Sequence, residues 1–433
     1  MSLLVGAIAD DFTGGTDLAN TLVKSGMRTV QTIGVPDEHF DASGFDAVVI
    51  ALKIRTIAPQ DAISQARGAL AWFTRREAAQ ILWKYCSTFD STDTGNIGPV
   101  ADMLCDALDV PLTIVCPAFP TTGRTLYKGH LFVGDALLSA SGMEHHPLTP
   151  MRDANLVSVL SRQTPHDVGL VELSCVQRGP DAVRHRIETL QANGARYAVA
   201  DAVNDDDLRT LGTALSSARL ITGGSGIAIG LAENFRRAGT LGAAQSPELP
   251  EVTGGAAILS GSCSQATRRQ VEHFSSAKPT YRFNMQDCAR PETTPRALAD
   301  AALAWVSEQD GETPILISAS AAPDQVAQLQ DARGIEAAGA LIEDALALTA
   351  KALVVAGRHT IIVAGGETSG AVTRALDVNA LRIGPEIDPG VPWTIAMRGP
   401  HSAPLALALK SGNFGGDDFF SKALGMIQPR NPS

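Results

Sequence analysis

The chain has 433 residues, of which 45% are hydrophobic and 19% are charged, and its formal net charge is -11. A globular chain of this length exceeds one ordinary hydrophobic core, so we expect two domains, and the composition excludes a disordered protein. The acidic balance argues against a nucleic-acid partner, which would require a basic face.

The first predicted strand, Leu3 to Ala9, is apolar, lacks a basic flank and is followed directly by Asp10 and Asp11. It therefore predicts neither a signal peptide nor a membrane span, and we expect a cytoplasmic protein with no membrane partner. The cysteines show no CxxC spacing, so we expect reduced thiols at Cys86, Cys105, Cys116, Cys175, Cys263 and Cys288.

Short apolar runs alternate with amphipathic stretches along the chain, and this pattern predicts parallel strands joined by crossover helices. The other predicted strands of the first half are 47–52, 81–85, 112–115, 169–173, 197–200 and 220–222. Those of the second half are 256–259, 280–283, 315–318, 360–363 and 394–397. The predicted fold class is α/β, with two α/β domains, largely parallel sheets and an active-site cleft between the domains.

A segment rich in Gly, Ala, Pro and Ser separates the two series of strands and predicts a linker over 240–253. The predicted domains therefore span 1–239 and 254–433.

Two adjacent carboxylates, Asp10 and Asp11, follow the first predicted strand. Ligands bind at the carboxyl ends of parallel strands, where carboxylates can accept hydrogen bonds from substrate hydroxyls or hold a metal ion. The carboxylates of Asp10 and Asp11 would repel a pyrophosphate, which excludes a dinucleotide site after this strand. The alternative is an acidic N-cap before a helix predicted over 17–24, which accounts for Thr16 or Asp17 but not for both earlier carboxylates.

A segment dense in hydroxyls and acids follows the predicted strand that ends at Tyr85, and it contains Asp90, Ser91, Thr92 and Asn96. A solvated loop would share this composition. Next to a buried strand, however, the segment favours a pocket for a polyol or a sugar acid, in which Asp90 can accept the proton of an attacking hydroxyl.

Two arginines, Arg55 and Arg124, are candidates for binding an anionic substrate group, because guanidinium pairs with carboxylates in bidentate geometry. Each could equally form a surface ion pair. His130 follows Arg124 closely enough to reach the same pocket. His145 and His146 have no partner at metal-ligand spacing, so we predict no metal site built from protein ligands alone.

Three glycine turns lie in the second half: 260–264, 365–370, with a helix predicted from Ala371, and 411–415. Glycine lets backbone N–H groups approach a phosphate, hydroxyls add donors, and a following helix directs its positive end to the same point. One such turn is more often a tight connection, but three in one domain favour a nucleotide. None is closed by the Lys-Ser or Lys-Thr pair of a P-loop, and the missing dinucleotide fingerprint argues against a dehydrogenase.

The ordered set of motifs resembles the four-carbon acid sugar kinases, most closely those that act on 3-oxo-tetronates. The resemblance covers nearly the whole chain and rests on residues 9–14, 84–92, 95–99, 123–125, 131–135, 141–143, 146–151, 259–264, 364–369, 389–393 and 409–415. One position departs from the family, since Thr94 stands where many members have a basic residue before the Gly-Asn pair. The resemblance therefore supports no ligand contact from this side chain.

The resemblance implies an ATP-dependent kinase that phosphorylates the 4-hydroxyl of a 3-oxo-tetronate, with the sugar acid on the N-terminal domain and Mg-ATP on the C-terminal domain. Asp90 or Asp10 is then expected to orient the hydroxyl for attack, while Arg55 and Arg124 hold the carboxylate. Other expected sugar-acid contacts are Asp11, Ser91, Thr92, Asn96 and His130. Expected ATP contacts are Ser262, Ser264, Gly366, Glu367, Thr368, Ser369, Gly412 and Asn413, with Glu367 on the ribose or on Mg²⁺.

Two alternatives remain open: a kinase for a related acid such as threonate or erythronate, and a non-catalytic sensor of a sugar acid or nucleotide. The expected partner is a small four-carbon sugar acid. The sequence leaves open the configuration of that substrate, the metal preference, and whether the protein forms a homodimer.

Overall fold

The structure, a computed structural model, describes residues 3–427 except 147, 244–246, 248, 250 and 398–402. Residues 1, 2, 147, 398–402 and 428–433 of the predicted domains and 244–246, 248 and 250 of the predicted linker lie outside the described residues. The chain separates into two compact units that divide between residues 246 and 247. The exact limits given above for the domains and the linker stay predictions.

The first unit contains a parallel sheet, with helices between successive strands, and a small antiparallel sheet. Its strands are β1 (Val5–Ala9), β2 (Thr29–Ile33), β3 (Ala47–Ala51), β4 (Gln80–Lys84), β5 (Thr113–Cys116), β6 (Arg124–Tyr127), β7 (His130–Val133), β8 (Ala136–Leu137), β9 (Asp167–Val171), β10 (Ala195–Ala200) and β11 (Leu220–Gly223). Its α-helices are α1 (Phe12–Lys24), α2 (Pro59–Thr74), α3 (Ile97–Leu108), α4 (Leu156–Ser161), α5 (Leu173–Val176), α6 (Pro180–Ala192), α7 (Asp205–Ala214) and α8 (Leu231–Arg237).

The parallel sheet of this unit has the strand order β2-β3-β1-β4-β11-β5-β10-β9, and β6, β7 and β8 form the antiparallel sheet. The central strands β1 and β3 are buried at every position, as expected for strands covered by helices on both faces. Their carboxyl ends, with that of β4, lie side by side at one edge of the sheet.

The second unit is also an α/β sheet. Its strands are β12 (Ala256–Ser260), β13 (Thr280–Arg282), β14 (Ile315–Ser318), β15 (Thr360–Ala364), β16 (Ala380–Asp388), β17 (Val391–Met397) and β18 (Leu405–Lys410). Its α-helices are α9 (Gln265–Ser275), α10 (Met285–Ala289), α11 (Pro295–Ser307), α12 (Pro323–Arg333), α13 (Ile335–Val355), α14 (Gly366–Ala375) and α15 (Phe419–Ile427). The strand order is β13-β14-β12-β15-β18-β17-β16, and only the pairs β16/β17 and β17/β18 are antiparallel among the described strands of this unit.

The α/β class with largely parallel sheets is confirmed, but two predicted helix starts were wrong. Helix α1 begins at Phe12, not at residue 17, because Asp11 is its N-cap and accepts from the Gly14 N–H at 3.0 Å. Helix α14 begins at Gly366, not at Ala371, because Gly365 lies outside the helix at φ 131° and ends the strand-to-helix connection.

Strand β2 was not predicted, because its sequence Thr-Val-Gln-Thr-Ile is too polar to be recognised as a buried strand. The structure buries Gln31 completely and satisfies its amide: Oε1 accepts from Thr16 Oγ1 at 2.7 Å and Nε2 donates to the Phe12 carbonyl at 3.0 Å. Strands β16 and β18 were also not predicted. Among the described residues, no helix combines the length and the apolar character needed to span a bilayer.

Candidate active site

Four of the predicted site residues meet at the carboxyl ends of β1, β3 and β4. The Arg55 guanidinium donates from Nε to Asp10 Oδ2 at 2.7 Å and from Nη2 to Asp10 Oδ1 at 2.9 Å. The same Nη2 lies 2.8 Å from Asp11 Oδ1, and Nη1 lies 3.7 Å from Asp90 Oδ2. One arginine therefore orients three carboxylates, two of which follow the same strand.

Burial and charge act against each other in this cluster. Burial raises the pKa of Asp10 above its ordinary value, and the ion pair with Arg55 works against that shift. For Arg55, burial would lower the pKa, but the Asp10 and Asp11 carboxylates outweigh it and raise the pKa well above the ordinary value. We expect the pair to stay ionised.

The net charge of the cluster bears on the hypothesis that Arg55 holds the substrate carboxylate. Lys84 is the last residue of β4. Its side chain is buried, and Nζ donates to the Tyr85 carbonyl at 2.9 Å. Three carboxylates thus face two cations, Arg55 and Lys84. A cluster with this excess of negative charge favours hydroxyl donors and disfavours a further carboxylate.

Asp90 is held by its own segment. Thr88 Oγ1 donates to Asp90 Oδ1 at 2.5 Å, and the Phe89 N–H donates to the Cys86 carbonyl at 3.0 Å. Phe89 has a positive φ of 53°, which is uncommon for a bulky residue, and its buried ring packs on Tyr85 with centroids 5.3 Å apart. Backbone strain of this kind persists where the surrounding packing holds it, often at functional sites.

Ser91 and Asn96 have structural partners that sequence reasoning did not reveal. Gln163 Nε2 donates to Ser91 Oγ at 2.9 Å and to the Thr92 carbonyl at 2.8 Å. Asn96 Nδ2 donates to the Ile54 carbonyl at 2.7 Å, next to Arg55. Both side chains are buried, while Thr92 is exposed. Their direct substrate contacts stay predictions, and their visible role is to fix the loops around Asp90 and Arg55.

Arg124 and His130 lie apart from the carboxylate cluster, on the antiparallel hairpin β6–β7. Arg124 Nη1 donates to the Thr122 carbonyl, and its Nε is buried with no hydrogen-bond partner among the described residues. His130 Nδ1 lies 2.9 Å from the Lys128 carbonyl. Neither side chain contacts Asp10, Asp11 or Asp90. The Arg124 guanidinium therefore keeps one N–H group, at Nε, that has no acceptor among the described residues.

A buried aspartate anchors the tip of that hairpin. Asp201, fully buried after β10, accepts from the Lys128 N–H at 2.7 Å through Oδ2 and from the Gly129 N–H at 2.8 Å through Oδ1. Both donors lie in a turn with positive φ angles, 51° and 73°. Charge-assisted bonds of this kind fix the hairpin that carries Arg124 and His130.

In the second unit the three glycine turns follow three adjacent strands, β12, β15 and β18, and contact one another. The Gly261 and Ser262 N–H groups donate to the Ala364 carbonyl at 3.0 and 3.1 Å. The Gly365 N–H donates to the Lys410 carbonyl at 2.9 Å. Ser264 Oγ donates to the Gly412 carbonyl at 2.6 Å, so the three turns form one continuous surface.

Close packing explains the glycines. A Cβ at Gly261 would lie 2.2 Å from Thr368 Oγ1, and a Cβ at Gly412 would lie 2.3 Å from Ser262 Oγ. Gly365 has a φ of 131°, a backbone conformation that residues with a side chain rarely adopt. The turns can approach one another this closely only without side chains at these positions.

A cavity of about 480 Å³ opens beside the first two turns. Its polar end is formed by 261–263 and 365–368. Side chains of α12 and α13 form a wall that is apolar at Val326, Leu329, Ile335, Ala338 and Ile342 and polar at Gln330, Glu336 and Glu343. The cavity lies at the ends of the neighbouring strands β12 and β15. From β12 the chain continues through α9 to β13, toward one edge of the sheet, and from β15 it continues through α14 to β16, toward the other edge. Such a switch point is the usual ligand crevice of an open α/β sheet.

The predicted ATP residues occupy different depths around this cavity. Gly366 and Glu367 are exposed in the first turn of α14, while Thr368 and Ser369 are buried, and Ser369 Oγ has no hydrogen-bond partner among the described residues. Ser264 Oγ caps α9 by accepting from the Thr267 N–H at 3.2 Å. Other predicted contacts, Ser262, Gly412 and Asn413, lie in the first and third turns.

Lys410 was not predicted as a site residue, although a lysine that ends an apolar strand before a glycine turn could have been noticed. It is fully buried, and Nζ donates to Thr267 Oγ1 at 2.9 Å and to the Ser411 and Gly412 carbonyls at 3.1 and 3.2 Å. Burial lowers the pKa of Lys410 to about 7. The side chain joins the third turn to α9.

Within the ranges that the structure describes, no group of three or more His, Cys, Asp or Glu side chains is placed to hold a metal ion.

Two family models match the chain: a sugar-binding N-terminal domain over residues 5–231 and a nucleotide-binding C-terminal domain over residues 257–420. The 3-oxo-tetronate kinase of Cupriavidus necator is 55% identical over 425 residues, which cover 97% of this chain and 96% of the relative. The 3-oxo-tetronate kinase of Burkholderia multivorans is 54% identical over 422 residues, with 97% and 96% covered. A crystal structure of a protein from Salmonella typhimurium LT2 is 44% identical, has a TM-score of 0.89, and covers 98% of this chain and 99% of that protein.

Proposed function

The chain belongs to the four-carbon acid sugar kinase family, and on that basis we propose that it is an ATP-dependent kinase that phosphorylates the 4-hydroxyl of a 3-oxo-tetronate. The observation that carries this proposal is the identity of 54 to 55% over nearly the whole chain to two 3-oxo-tetronate kinases. The reaction transfers the γ-phosphoryl group of ATP to the hydroxyl oxygen and releases ADP and a proton.

We propose that the first unit, with the sugar-binding domain over residues 1–239, holds the acceptor. The negative charge around Arg55 supports hydroxyl binding by Asp10, Asp11 and Asp90, since carboxylates accept hydrogen bonds from hydroxyls. Arg55 then serves to orient these carboxylates. The substrate carboxylate is assigned to Arg124, whose buried Nε has no partner among the described residues.

We propose that the second unit, with the nucleotide-binding domain over residues 254–433 after a linker over 240–253, holds ATP. The glycine turns fit phosphate oxygens and the apolar part of the cavity wall fits the adenine base. Residues 262, 264, 366–369, 412 and 413 are the proposed contacts. Mg²⁺ would enter with the phosphates and neutralise their charge, and the exposed Glu367 at the start of α14 would meet the ribose or that ion.

Asp90 is the better candidate for accepting the proton of the 4-hydroxyl. Both carboxylate oxygens of Asp10 bond to Arg55 at 2.7 and 2.9 Å, whereas Asp90 Oδ2 lies 3.7 Å from the guanidinium and keeps an oxygen to accept a further hydrogen bond. The alignment of the hydroxyl and the neutralisation of phosphate charge would supply most of the rate enhancement.

The replacement Asp90→Asn tests this assignment. We expect turnover to fall by about two orders of magnitude or more, because general-base contributions are typically of that size, while ATP binding measured by calorimetry stays unchanged. Asp93→Asn is the matched control, since Asp93 is exposed and pairs with Arg162 at 2.7 Å. Near-normal turnover of Asp90→Asn would remove Asp90 from the role of base.

A kinase for threonate or erythronate is the alternative within the family, and a non-catalytic sensor is the alternative outside enzyme chemistry. The sensor would bind the same ligands without releasing ADP. The carboxylates around Arg55 support a catalytic protein, because Asp90 keeps an oxygen that can accept the proton of the hydroxyl.

A further inference from the structure

We propose that Thr88 and Cys86 are positioning residues that fix which oxygen of Asp90 is offered to the substrate hydroxyl. The inference rests on the proposed function and deepens it, since it concerns how the acceptor side of the kinase is held ready. Neither residue was among the predicted site residues.

The directions of the hydrogen bonds follow from the number of protons available. Ionised Asp90 can only accept, so the 2.5 Å contact between Thr88 Oγ1 and Asp90 Oδ1 uses the single hydroxyl proton of Thr88. Thr88 Oγ1 also lies 2.9 Å from Cys86 Sγ. Because Thr88 has no second proton to donate, the Cys86 thiol must be the donor, which gives a chain from Cys86 through Thr88 to Asp90.

This chain requires a protonated thiol, and the surroundings of Cys86 supply one. Burial and the Asp90 charge raise the pKa of Cys86 to about 12. The thiol is therefore a hydrogen-bond donor at neutral pH and not a nucleophile. Arg55 and Lys84 also act on this thiol and lower its pKa, but their effect is smaller than that of burial.

The chain leaves the two carboxylate oxygens of Asp90 unequal. Oδ1 accepts from Thr88, whereas Oδ2 lies 3.7 Å from Arg55 Nη1 and is the oxygen left for a substrate hydroxyl. The charged groups of the cluster are Arg55 after β3, Asp10 and Asp11 after β1, and Lys84 at the end of β4, and the neutral Cys86 thiol is the other titratable group beside Asp90. Thr88 is buried, so water does not compete for its hydroxyl.

Removing the Thr88 hydroxyl should have two effects. The carboxylate loses a donor that stabilises its charged form, so protonation becomes easier and the acid limb of the pH profile of kcat moves to higher pH. The carboxylate can also rotate, so the plateau value of kcat falls. A residue with a merely structural role would change stability without moving the acid limb.

The experiment measures the pH profile of kcat, with ATP and the sugar acid saturating, for Thr88→Val, Thr88→Ser, Cys86→Ala and Cys86→Ser. We expect Thr88→Val to shift the acid limb upward by roughly one pH unit and to lower plateau kcat about tenfold. Thr88→Ser and Cys86→Ser keep a donor and should stay close to wild type. Cys86→Ala should shift the limb in the same direction as Thr88→Val, but by less.

Thr313→Val is the matched control, because Thr313 Oγ1 donates to Asp310 Oδ2 at 2.7 Å in the second unit. It removes a threonine–aspartate bond and should leave the acid limb in place. If Thr88→Val does not fold, the acid limbs of Cys86→Ala and Cys86→Ser are compared instead, since only the first of these variants lacks a donor to Thr88.

Two failures are distinguishable. An active wild type with an unchanged acid limb in Thr88→Val, or in Cys86→Ala where Thr88→Val does not fold, would overturn the positioning role and leave the kinase intact. A wild type without substrate-dependent ADP release would overturn the proposed function and this inference with it.

Discussion

Arg55 and Asp10 form a bidentate ion pair at the carboxyl ends of β3 and β1, with Nε 2.7 Å from Oδ2 and Nη2 2.9 Å from Oδ1. Asp10 is almost fully buried. The flat guanidinium is what allows one cation to bond Asp10 twice and still reach Asp11 and Asp90. This geometry leads to the first prediction.

Arg55→Lys should disable the acceptor site while leaving the nucleotide site intact. An ammonium group cannot reproduce two parallel bonds, so the three carboxylates lose their common orientation. We expect kcat/KM for the sugar acid to fall about 100-fold, whereas the dissociation constant for ATP, measured by calorimetry, stays within about twofold.

Arg28→Lys is the control for that substitution. Arg28 forms the same bidentate pair with Asp46, at 3.1 and 2.8 Å, but is about half exposed. Exposed pairs contribute little, so this variant should keep both activity and stability. Equal losses in both variants would show that the arrangement around Arg55 has no special role.

Gly412→Ala should weaken ATP binding. A Cβ at Gly412 would meet Ser262 Oγ at 2.3 Å, so either this hydroxyl must rotate away or the third turn must move away from the first, and both changes alter the surface that the turns form. We expect KM for ATP to rise about tenfold with KM for the sugar acid unchanged, as measured by steady-state kinetics.

Gly425→Ala, in α15, is the matched control, since an added Cβ there meets nothing within 4 Å. It should leave the kinetics unchanged and slightly stabilise the helix. An unaltered KM for ATP in Gly412→Ala would separate the third turn from nucleotide binding.

The parts of the fold that were predicted from sequence are those with a local signal. Strands β1 and β15 are almost entirely apolar and were located to within a few residues. Strand β2 was not, because its polar Gln31 is satisfied by Thr16, a partner on another element. The glycine turns were recognisable from composition, and the carboxylates of the acceptor site from their place after strands.

Other parts of the site depend on partners distant in the chain and could not be predicted. Asp201 bonds to backbone groups at Lys128 and Gly129, which are 73 and 72 residues away. The hydrogen-bond chain from Cys86 to Asp90 is local, but only the structure shows that Thr88 Oγ1 contacts both of the other side chains, at 2.9 and 2.5 Å. Lys410 was visible as a strand-ending lysine, whereas its complete burial was not.

Asp201→Asn should loosen the hairpin that carries Arg124 and His130. The amide keeps one acceptor and loses the charge that strengthens the bonds from the Lys128 and Gly129 N–H groups. We expect KM for the sugar acid to rise about tenfold with little change in KM for ATP, as measured by steady-state kinetics.

Asp207→Asn is the control, because Asp207 is also buried and accepts from backbone N–H groups: it accepts two, those of Val203 and Asn204, whereas Asp201 accepts three, those of Lys128, Gly129 and Leu173. Both variants should melt at a lower temperature, but only Asp201→Asn should raise KM for the sugar acid. An equal KM for the sugar acid in the two variants would show that the hairpin does not bind the substrate.

Lys410 makes stability depend on pH. Burial lowers the pKa of Lys410 from 10.5 to about 7, so between these values the unfolded chain binds a proton that the folded chain lacks. The contribution of Lys410 to the free energy of unfolding should therefore rise with pH across this window, by roughly 3 to 5 kcal/mol. Below pH 7 the cost of burying the ammonium group is fully present.

Urea unfolding at several pH values between 6 and 8, below the range in which the thiols of the unfolded chain ionise, measures this slope. Lys410→Met should remove most of it, whereas replacement of the exposed Lys351 by Met should preserve the wild-type slope. A wild-type slope retained in Lys410→Met would assign the pH dependence to other groups.

The most direct measurement is ADP release by the purified protein with Mg-ATP and a panel of four-carbon acids: 3-oxo-tetronates of both configurations, threonate and erythronate. We expect a 3-oxo-tetronate to stimulate ADP release and to yield a product whose phosphate is on the 4-oxygen, as read by phosphorus NMR. Stimulation by threonate or erythronate alone would replace the proposed substrate. If no acid in the panel stimulated ADP release, the kinase assignment would be contradicted and a sensor favoured.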